Sequence, residues 1–417
     1  MKKKTDAFGN KKVNVPFFVP NITNADKTVV VNALSNSLLT DGPQLRKFEK
    51  KFAKFVGTKY AIGVSNGTAA LHLALSSLGL KKGDEVIVPD ITFVATANAV
   101  LLTGATPVLV DVNNEDMNIS IDSIKKSITS KTKAILPVHL AGKICKMPKI
   151  RKIAKDNDLW LIEDCAHAIG TKLKNKHAGT FGDAGCFSFY PTKNFTTIEG
   201  GMVITNSKKI AEYVKAARSH GLTRSLADRY SKGKPWDYDI INPGFNYRLD
   251  EIRASLGLNQ LQRVNQLNFK RLIASKYLTK RFRDIDGIIT PEIFTDKQHN
   301  YHLYIIRITK KYGKNRDEVF KELKKDGIQV SLHFKPLHEF SAYKKLAKKY
   351  DKLNNSKQIY KENLSLPMYP DISKKDLNRI VSFFKKTNWF FLNTLQLRIM
   401  VYGIYYKEQV QRWSDQL

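Results

Sequence analysis

From Lys59 onward the chain alternates short apolar runs with longer amphipathic stretches, and this alternation limits the fold more than any other feature of the sequence. The apolar runs are Tyr60-Ala-Ile-Gly-Val64, Glu85-Val-Ile-Val88, Pro107-Val-Leu-Val-Asp111, Ala134-Ile-Leu-Pro-Val138 and Leu159-Trp-Leu-Ile162. Between them, Thr68 to Leu78, Phe93 to Leu102, Ile121 to Ile128 and Met147 to Asp156 carry helical patterns. Strands alternating with helices bury their apolar surfaces as a largely parallel sheet with helices on both faces, which predicts an α/β fold. Cys186-Phe-Ser-Phe189 and Met202-Val-Ile-Thr205 add two further strands. The first domain, with an N-terminal arm, is therefore expected to span residues 1–250.

Beyond it the texture changes. Arg248 to Phe282 reads as one long, partly amphipathic helix bridging to a second unit. That unit has a strand at Tyr301-His-Leu-Tyr-Ile-Ile-Arg-Ile308, a helix from Arg316 to Asp326, a strand near Ile328-Gln-Val-Ser331 and a last helix from Lys374 to Lys386. The mixed order predicts a smaller α+β domain over residues 251–386. Residues 387–417, with Trp389-Phe-Phe-Leu392 and Ile399-Met-Val-Tyr-Gly-Ile-Tyr-Tyr406, have no clear helical period and read as an appended tail.

Several function classes lose support from composition. No stretch reaches the ~18 consecutive apolar residues of a membrane span, and Met1-Lys-Lys-Lys-Thr-Asp6 lacks the apolar core of a signal peptide, so a cytoplasmic address is expected. Cys145, Cys165 and Cys186 form no C-x-x-C pair, and neither His-x-His nor H-E-x-x-H occurs; no disulfide framework and no metal site are expected. The formal net charge of +32 would suit a nucleic-acid-binding regulatory protein. However, the lysine pairs, such as Lys81-Lys82, Lys125-Lys126 and Lys324-Lys325, are scattered over separate elements without interleaved aromatic residues. A solvated basic surface is the better reading.

The chemistry concentrates in two places. Leu159-Trp-Leu-Ile-Glu-Asp164 ends in an acid where an open α/β sheet presents catalytic groups. Downstream, Ser188-Phe-Tyr-Pro-Thr-Lys193-Asn194 sets one lysine in a hydroxyl-rich turn. Upstream, Ser65-Asn-Gly67-Thr68-Ala-Ala-Leu71 follows a strand and opens a helix, where free N–H groups make a phosphate seat. A pyridoxal phosphate enzyme needs an amine for the cofactor's aldehyde, a carboxylate for its ring nitrogen, donors for its phosphate and a flat side chain over its ring. Lys193, Asp164, the set Gly67, Thr68 and Ser188, and Phe93 are the respective candidates, with His167 for the ring hydroxyl. A rival pattern exists: Gly63-Val-Ser65-Asn-Gly67 matches the G-x-S-x-G elbow of α/β-hydrolases, with Ser65 as nucleophile and His333 or His338 as base. No glycine-rich oxyanion loop precedes Ser65, and Asp164 and Lys193 would have no role in it.

These residues lie within a longer series that resembles the DegT/StrS-type sugar aminotransferases, fold type I pyridoxal phosphate enzymes acting on keto sugars of nucleotides. The series includes Leu39-Thr-Asp-Gly-Pro43, Asp90-Ile-Thr-Phe-Val-Ala-Thr96, Pro137-Val-His-Leu-Ala-Gly142, Glu163-Asp-Cys-Ala-His-Ala168, Gly244-Phe-Asn-Tyr-Arg248, Gly257-Leu-Asn-Gln-Leu261 and His333-Phe-Lys-Pro-Leu-His338. It runs from about Val15 to about Lys386. The resemblance implies pyridoxal 5'-phosphate as cofactor, bound covalently by Lys193, with Asp164 at the ring nitrogen, His167 by the ring hydroxyl, Gly67, Thr68 and Ser188 on the phosphate and Phe93 on the ring. It implies that Asn246 reaches the phosphate of a neighbouring subunit, hence a homodimer with shared active sites. It implies a nucleotide-sugar substrate and L-glutamate as donor. Thr196-Thr-Ile-Glu-Gly-Gly201 resembles the branch that aminates the 4-keto carbon, whereas many 3-aminating relatives carry Gly-Asp-Gly-Gly there.

Overall fold

The computed structural model describes residues 13–224, 234–240, 242–346 and 352–386; the tail expected over 387–417 lies outside the described residues. Seven strands form the main sheet: β1 (Tyr60–Val64), β2 (Glu85–Pro89), β3 (Thr106–Val110), β4 (Thr132–Ile135), β5 (Trp160–Asp164), then, after a short hairpin of β6 (Lys172–Leu173) and β7 (Lys176–His177), β8 (Ala184–Ser188) and β9 (Gly201–Thr205). Their order is β1-β9-β8-β5-β4-β2-β3. All neighbours pair parallel except those of β9, which runs against β1 on one side and β8 on the other.

Helices cover both faces, as alternation demands. The helices Gly67–Ser76, Ala95–Leu102 and Lys208–Ala217 bury Leu73, Val100 and Val214 against one side of the sheet. On the other, Pro43–Val56, Met147–Asp156 and Glu251–Leu261 contribute Phe48, Phe52, Ile150 and Leu261. Strands buried on both faces must be apolar throughout, and Val86, Ile87 and Val88 are fully buried.

A second core lies around a three-stranded antiparallel sheet of β10 (Ile288–Ile289), β11 (Tyr304–Ile308) and β12 (Asn363–Leu366). The helices Val264–Phe282, Arg316–Lys325 and residues 374–386 pack Leu278, Phe282, Leu323 and Phe384 into it. The single long helix expected over Arg248 to Phe282 is broken at Gln262 and Arg263. Ala254 and Leu261 before the break and Val264 and Leu267 after it pack in the large core, and only from Ala274 onward does the second helix face the small one. Arg263 at the break is drawn sideways onto Asp26, 2.6 Å away. The strand expected near Ile328 is reduced to isolated bridges, Val15 to Ile328 and Ser331 to Ser365, through which the N-terminal arm is tied to the second core. The helices Asn24–Leu34, Pro43–Val56 and Asn354–Glu362 and the strand β12 were not anticipated from the sequence.

Candidate active site

The C-terminal edges of the parallel strands meet at a cleft of about 730 Å³, the position at which open α/β sheets bind ligands. Gly67, Thr68, Phe93, Asp164, His167, Ser188 and Lys193 all line it. Of the residues expected at the site, only Asn246 does not line the cleft. It is exposed and bridges to Ser219.

Each side chain is placed by the element that carries it. Asn66 caps the helix Gly67–Ser76 by accepting from the Ala69 N–H (2.8 Å), which leaves the first N–H groups, those of Gly67 and Thr68, at the cleft. Ser188 ends β8 directly opposite: a Cβ on Gly67 would lie 2.8 Å from Ser188 Cβ, so the close approach of helix start and strand end requires glycine. Lys193 sits in the connection between β8 and β9. That turn is cross-braced by Lys193 N–H to the Tyr190 carbonyl (2.9 Å), Thr197 N–H to the Phe189 carbonyl (3.0 Å) and Thr196 Oγ1 to the same carbonyl (2.8 Å).

Asp164 ends β5 and is 4% exposed. One carboxylate oxygen accepts from Thr96 Oγ1 (2.9 Å) and the other from the Ala166 N–H (3.0 Å). Burial pushes its carboxyl above the ordinary range, opposed by those two donors and by the Lys193 charge. Burial also lowers the Lys193 amine to about 8, with Asp164 pulling the other way. Burial thus disfavours the charged form of both groups, and their mutual attraction partly restores it.

His167 accepts the Ala141 N–H at Nδ1 (3.3 Å), which leaves its proton on Nε2. Its ring lies 4.4 Å from that of His302 and stacks on Phe334 at 6.0 Å. Burial first, then the Lys193 and His333 charges, keep it well below the usual histidine value. Three residues that sequence reasoning missed support this ring. Asn194 accepts from His302 Nδ1 (3.0 Å), and Asn300 donates to the His167 and Ile169 carbonyls (2.8 and 2.9 Å). Asn194 follows the lysine directly, but Asn300 and His302 come from the second unit and nothing in their local sequence marks them. Thr96, also missed, closes a motif whose other members were noticed.

The arrangement does not assemble a serine hydrolase. Ser65 does not line the cleft, its Oγ accepts from the Asn66 side-chain amide (3.4 Å), and among the described residues neither His333 nor His338 bonds to it. One buried cluster, His139, Glu163 and Cys165, has the composition of a metal site. Glu163 is already filled by the N–H groups of Gly179, Phe181 and Gly182 and by His139 Nε2 at 3.0 Å, so it acts as a brace under β5.

A half-buried lysine and a buried carboxylate lining one cleft with a helix N-terminus and a serine form the donor set of a fold type I pyridoxal phosphate enzyme. The chain belongs to the DegT/DnrJ/EryC1/StrS aminotransferase family, which it matches over residues 20–385. It is 38% identical to the spore coat polysaccharide biosynthesis protein SpsC of Bacillus subtilis over 371 residues, covering 88% of this chain and 95% of that one. It is 37% identical to the GDP-perosamine synthase of Escherichia coli O157:H7, covering 87% and 95%. The structure of Helicobacter pylori PseC, an aminotransferase of pseudoaminic acid biosynthesis, superposes with a TM-score of 0.83 at 31% identity, covering 90% of this chain and 99% of that one. Sugar aminotransferases of this fold have been solved with pyridoxal phosphate and with its amino form bound. The protein is thus a pyridoxal phosphate-dependent sugar aminotransferase. Its donor set fits that cofactor.

Proposed function

We propose that the protein transfers an amino group from L-glutamate to the 4-keto carbon of a keto-deoxy sugar carried on a nucleoside diphosphate, for glycan or secondary-metabolite synthesis. The observation that carries the reading is the pairing of Lys193 and Asp164 at one cleft edge with the phosphate seat at Gly67, Thr68 and Ser188. The relatives named for spore coat polysaccharide and for a GDP-linked sugar support the substrate class. The Thr196 to Gly201 segment supports the 4-keto position.

In this reading the bound cofactor supplies an electron sink for the carbon that gains or loses a proton. Lys193 would hold the cofactor through its amine and, once free, would serve as the base that takes and returns the proton at the substrate carbon. Its lowered amine pKa of about 8 makes the neutral, proton-accepting form accessible near neutrality. Asp164, oriented by Thr96, would keep the ring nitrogen protonated, His167 would offer its Nε2–H to the ring hydroxyl, and Phe93 would cover the ring. Among the described lining residues Lys193 is the sole lysine and there is no arginine. Glutamate carboxylates and a diphosphate need more cations than that; a second subunit would supply the remainder, and exposed Asn246 would in turn reach the phosphate of the neighbouring subunit. A homodimer with shared sites follows.

The test is direct. The purified protein should absorb in the visible, and borohydride should fix the cofactor to the peptide containing Lys193. Incubation with glutamate and a panel of keto sugar nucleotides should yield a 4-amino product; a 3-amino sugar would refute the position, and a colourless protein the whole assignment.

A further inference from the structure

A second cavity, of about 590 Å³, opens on the far side of a thin wall from the catalytic cleft. The wall is two segments laid against each other. Ile144 N–H donates to the Gln298 carbonyl (3.0 Å), Asn300 N–H to Gly142 (3.3 Å) and Leu303 N–H to Ala141 (3.3 Å). The packing is tight enough that a Cβ on Gly142 would lie 2.7 Å from Asn300 Cγ. Leu303 lines both cavities, and the Ala141 N–H is the one bound to His167 Nδ1.

Two donors face the second cavity without a hydrogen-bond acceptor among the described residues. His299 is 7% exposed and accepts the Tyr301 N–H at Nδ1 (2.9 Å), so its proton is on Nε2, and among the described residues Nε2 has no partner. The Lys143 ammonium lies 3.1 Å from the centroid of the Phe294 ring and, among the described residues, makes no hydrogen bond or ion pair. Burial lowers its amine pKa, with Glu292, Asp116 and Asp296 attracting it from beyond contact. Both groups, half-buried Lys143 and buried His299, are thus free to donate to a ligand oxygen within the cavity. Around them Met117, Ile144, Ile289 and Ile305 form an apolar floor. The charged lining balances Lys143, Lys146, Lys149 and Arg307 against Glu115, Asp116 and Glu292, and Arg307 is itself paired with Glu362. With Arg307 so paired, three lysines face three carboxylates, and a ligand carrying one negative charge unbalances this formally neutral lining less than a phosphate dianion would.

We propose that this cavity is an effector site for a small monocarboxylate with a flat apolar body, its carboxylate on Lys143 and His299 and its body beside Phe294. Occupancy is transmitted through the shared wall to His167 at the cofactor.

The probe is 2-naphthoate, titrated calorimetrically into the cofactor-loaded enzyme, with uncharged 2-naphthamide as its partner. The acid should bind about tenfold more tightly than the amide, the worth of one charge-assisted hydrogen bond. Lys143→Met should remove that preference and Lys143→Arg should keep it, each with the visible cofactor band intact. Leu173→Trp, which fills the cavity from its half-buried rim, should abolish binding of both compounds. Saturating naphthoate should also shift the pH titration of the visible band in the parent enzyme and not in Lys143→Met. Equal affinity for acid and amide, or naphthoate binding that survives Lys143→Met, overturns the site. Binding that leaves the band's titration unmoved overturns its effector role.

Discussion

At the scale of single residues, the site depends on groups whose charge is balanced against burial. Lys193→Ala removes the only amine lining the cleft among the described residues, so transamination should fall by roughly 10²–10⁴-fold or more, the range lost with a positioned acid–base group. Cofactor should still bind noncovalently, because the helix N-terminus and Asp164 remain; equilibrium dialysis against pyridoxal phosphate measures this. Thr96→Val tests the orientation of Asp164. The hydroxyl donates to the carboxylate at 2.9 Å and favours its charged form, so its loss should raise the Asp164 pKa further and weaken the hold on a protonated ring nitrogen. About a tenfold loss of cofactor affinity is expected, read by absorbance titration, with unchanged thermal stability.

At the scale of elements, contacts between distant segments decide the geometry. Gly201 starts β9 so close to the phosphate seat that a Cβ would lie 2.6 Å from the Asn66 carbonyl carbon and 3.0 Å from Gly67 N. Gly201→Ala must displace the helix start, and a loss of ~1–3 kcal/mol in unfolding free energy together with weakened cofactor binding is expected. The segment carrying His333 and Phe334 is anchored by His338 on Asp90. Burial opposes protonation of His338, but the Asp90 hydrogen bond and charge outweigh it, and its pKa is raised. Its folded value lies above its unfolded one, so its contribution is complete below the ordinary histidine range and is lost as pH rises through the raised value. His338→Gln should therefore cost about 1–2 kcal/mol more near pH 6 than near pH 9 in urea unfolding.

The same contacts explain what could be read from the sequence and what could not. The β-α alternation showed the main sheet because a strand buried on both faces must be apolar along its length, as in Val86 to Val88. Lys193, Asp164 and the Gly67 turn were legible because their chemistry is local. The helix Pro43–Val56 was not, in part because its N-terminus is capped by Glu251, which accepts from the N–H groups of Gly42, Gln44 and Leu45 at 2.7 to 3.0 Å across some two hundred residues of chain. His302 and Asn300 were invisible for the same reason: their meaning comes from Asn194 and His167, which only the folded chain brings to them.

At the scale of the whole molecule, charge and assembly set the expectations. The net charge of +32 is spread over many elements, so binding to random duplex DNA should be weak and should vanish at moderate salt in a fluorescence anisotropy titration. Among the described residues no helix is long and apolar enough to cross a membrane. Phe93 and Ile198 are exposed apolar side chains at and near the cleft. Finally, β5 and β8 are neighbours in the sheet, with Asp164 registered opposite Cys186, two residues before Ser188. The distance between carboxylate and lysine turn is thus set by a backbone ladder, whereas much of the rest of the cleft wall comes from the arm and the second unit. Substitutions that retune which sugar is accepted can accumulate there while the reacting centre stays fixed, so the fold is built for diversification of substrate without reinvention of its chemistry.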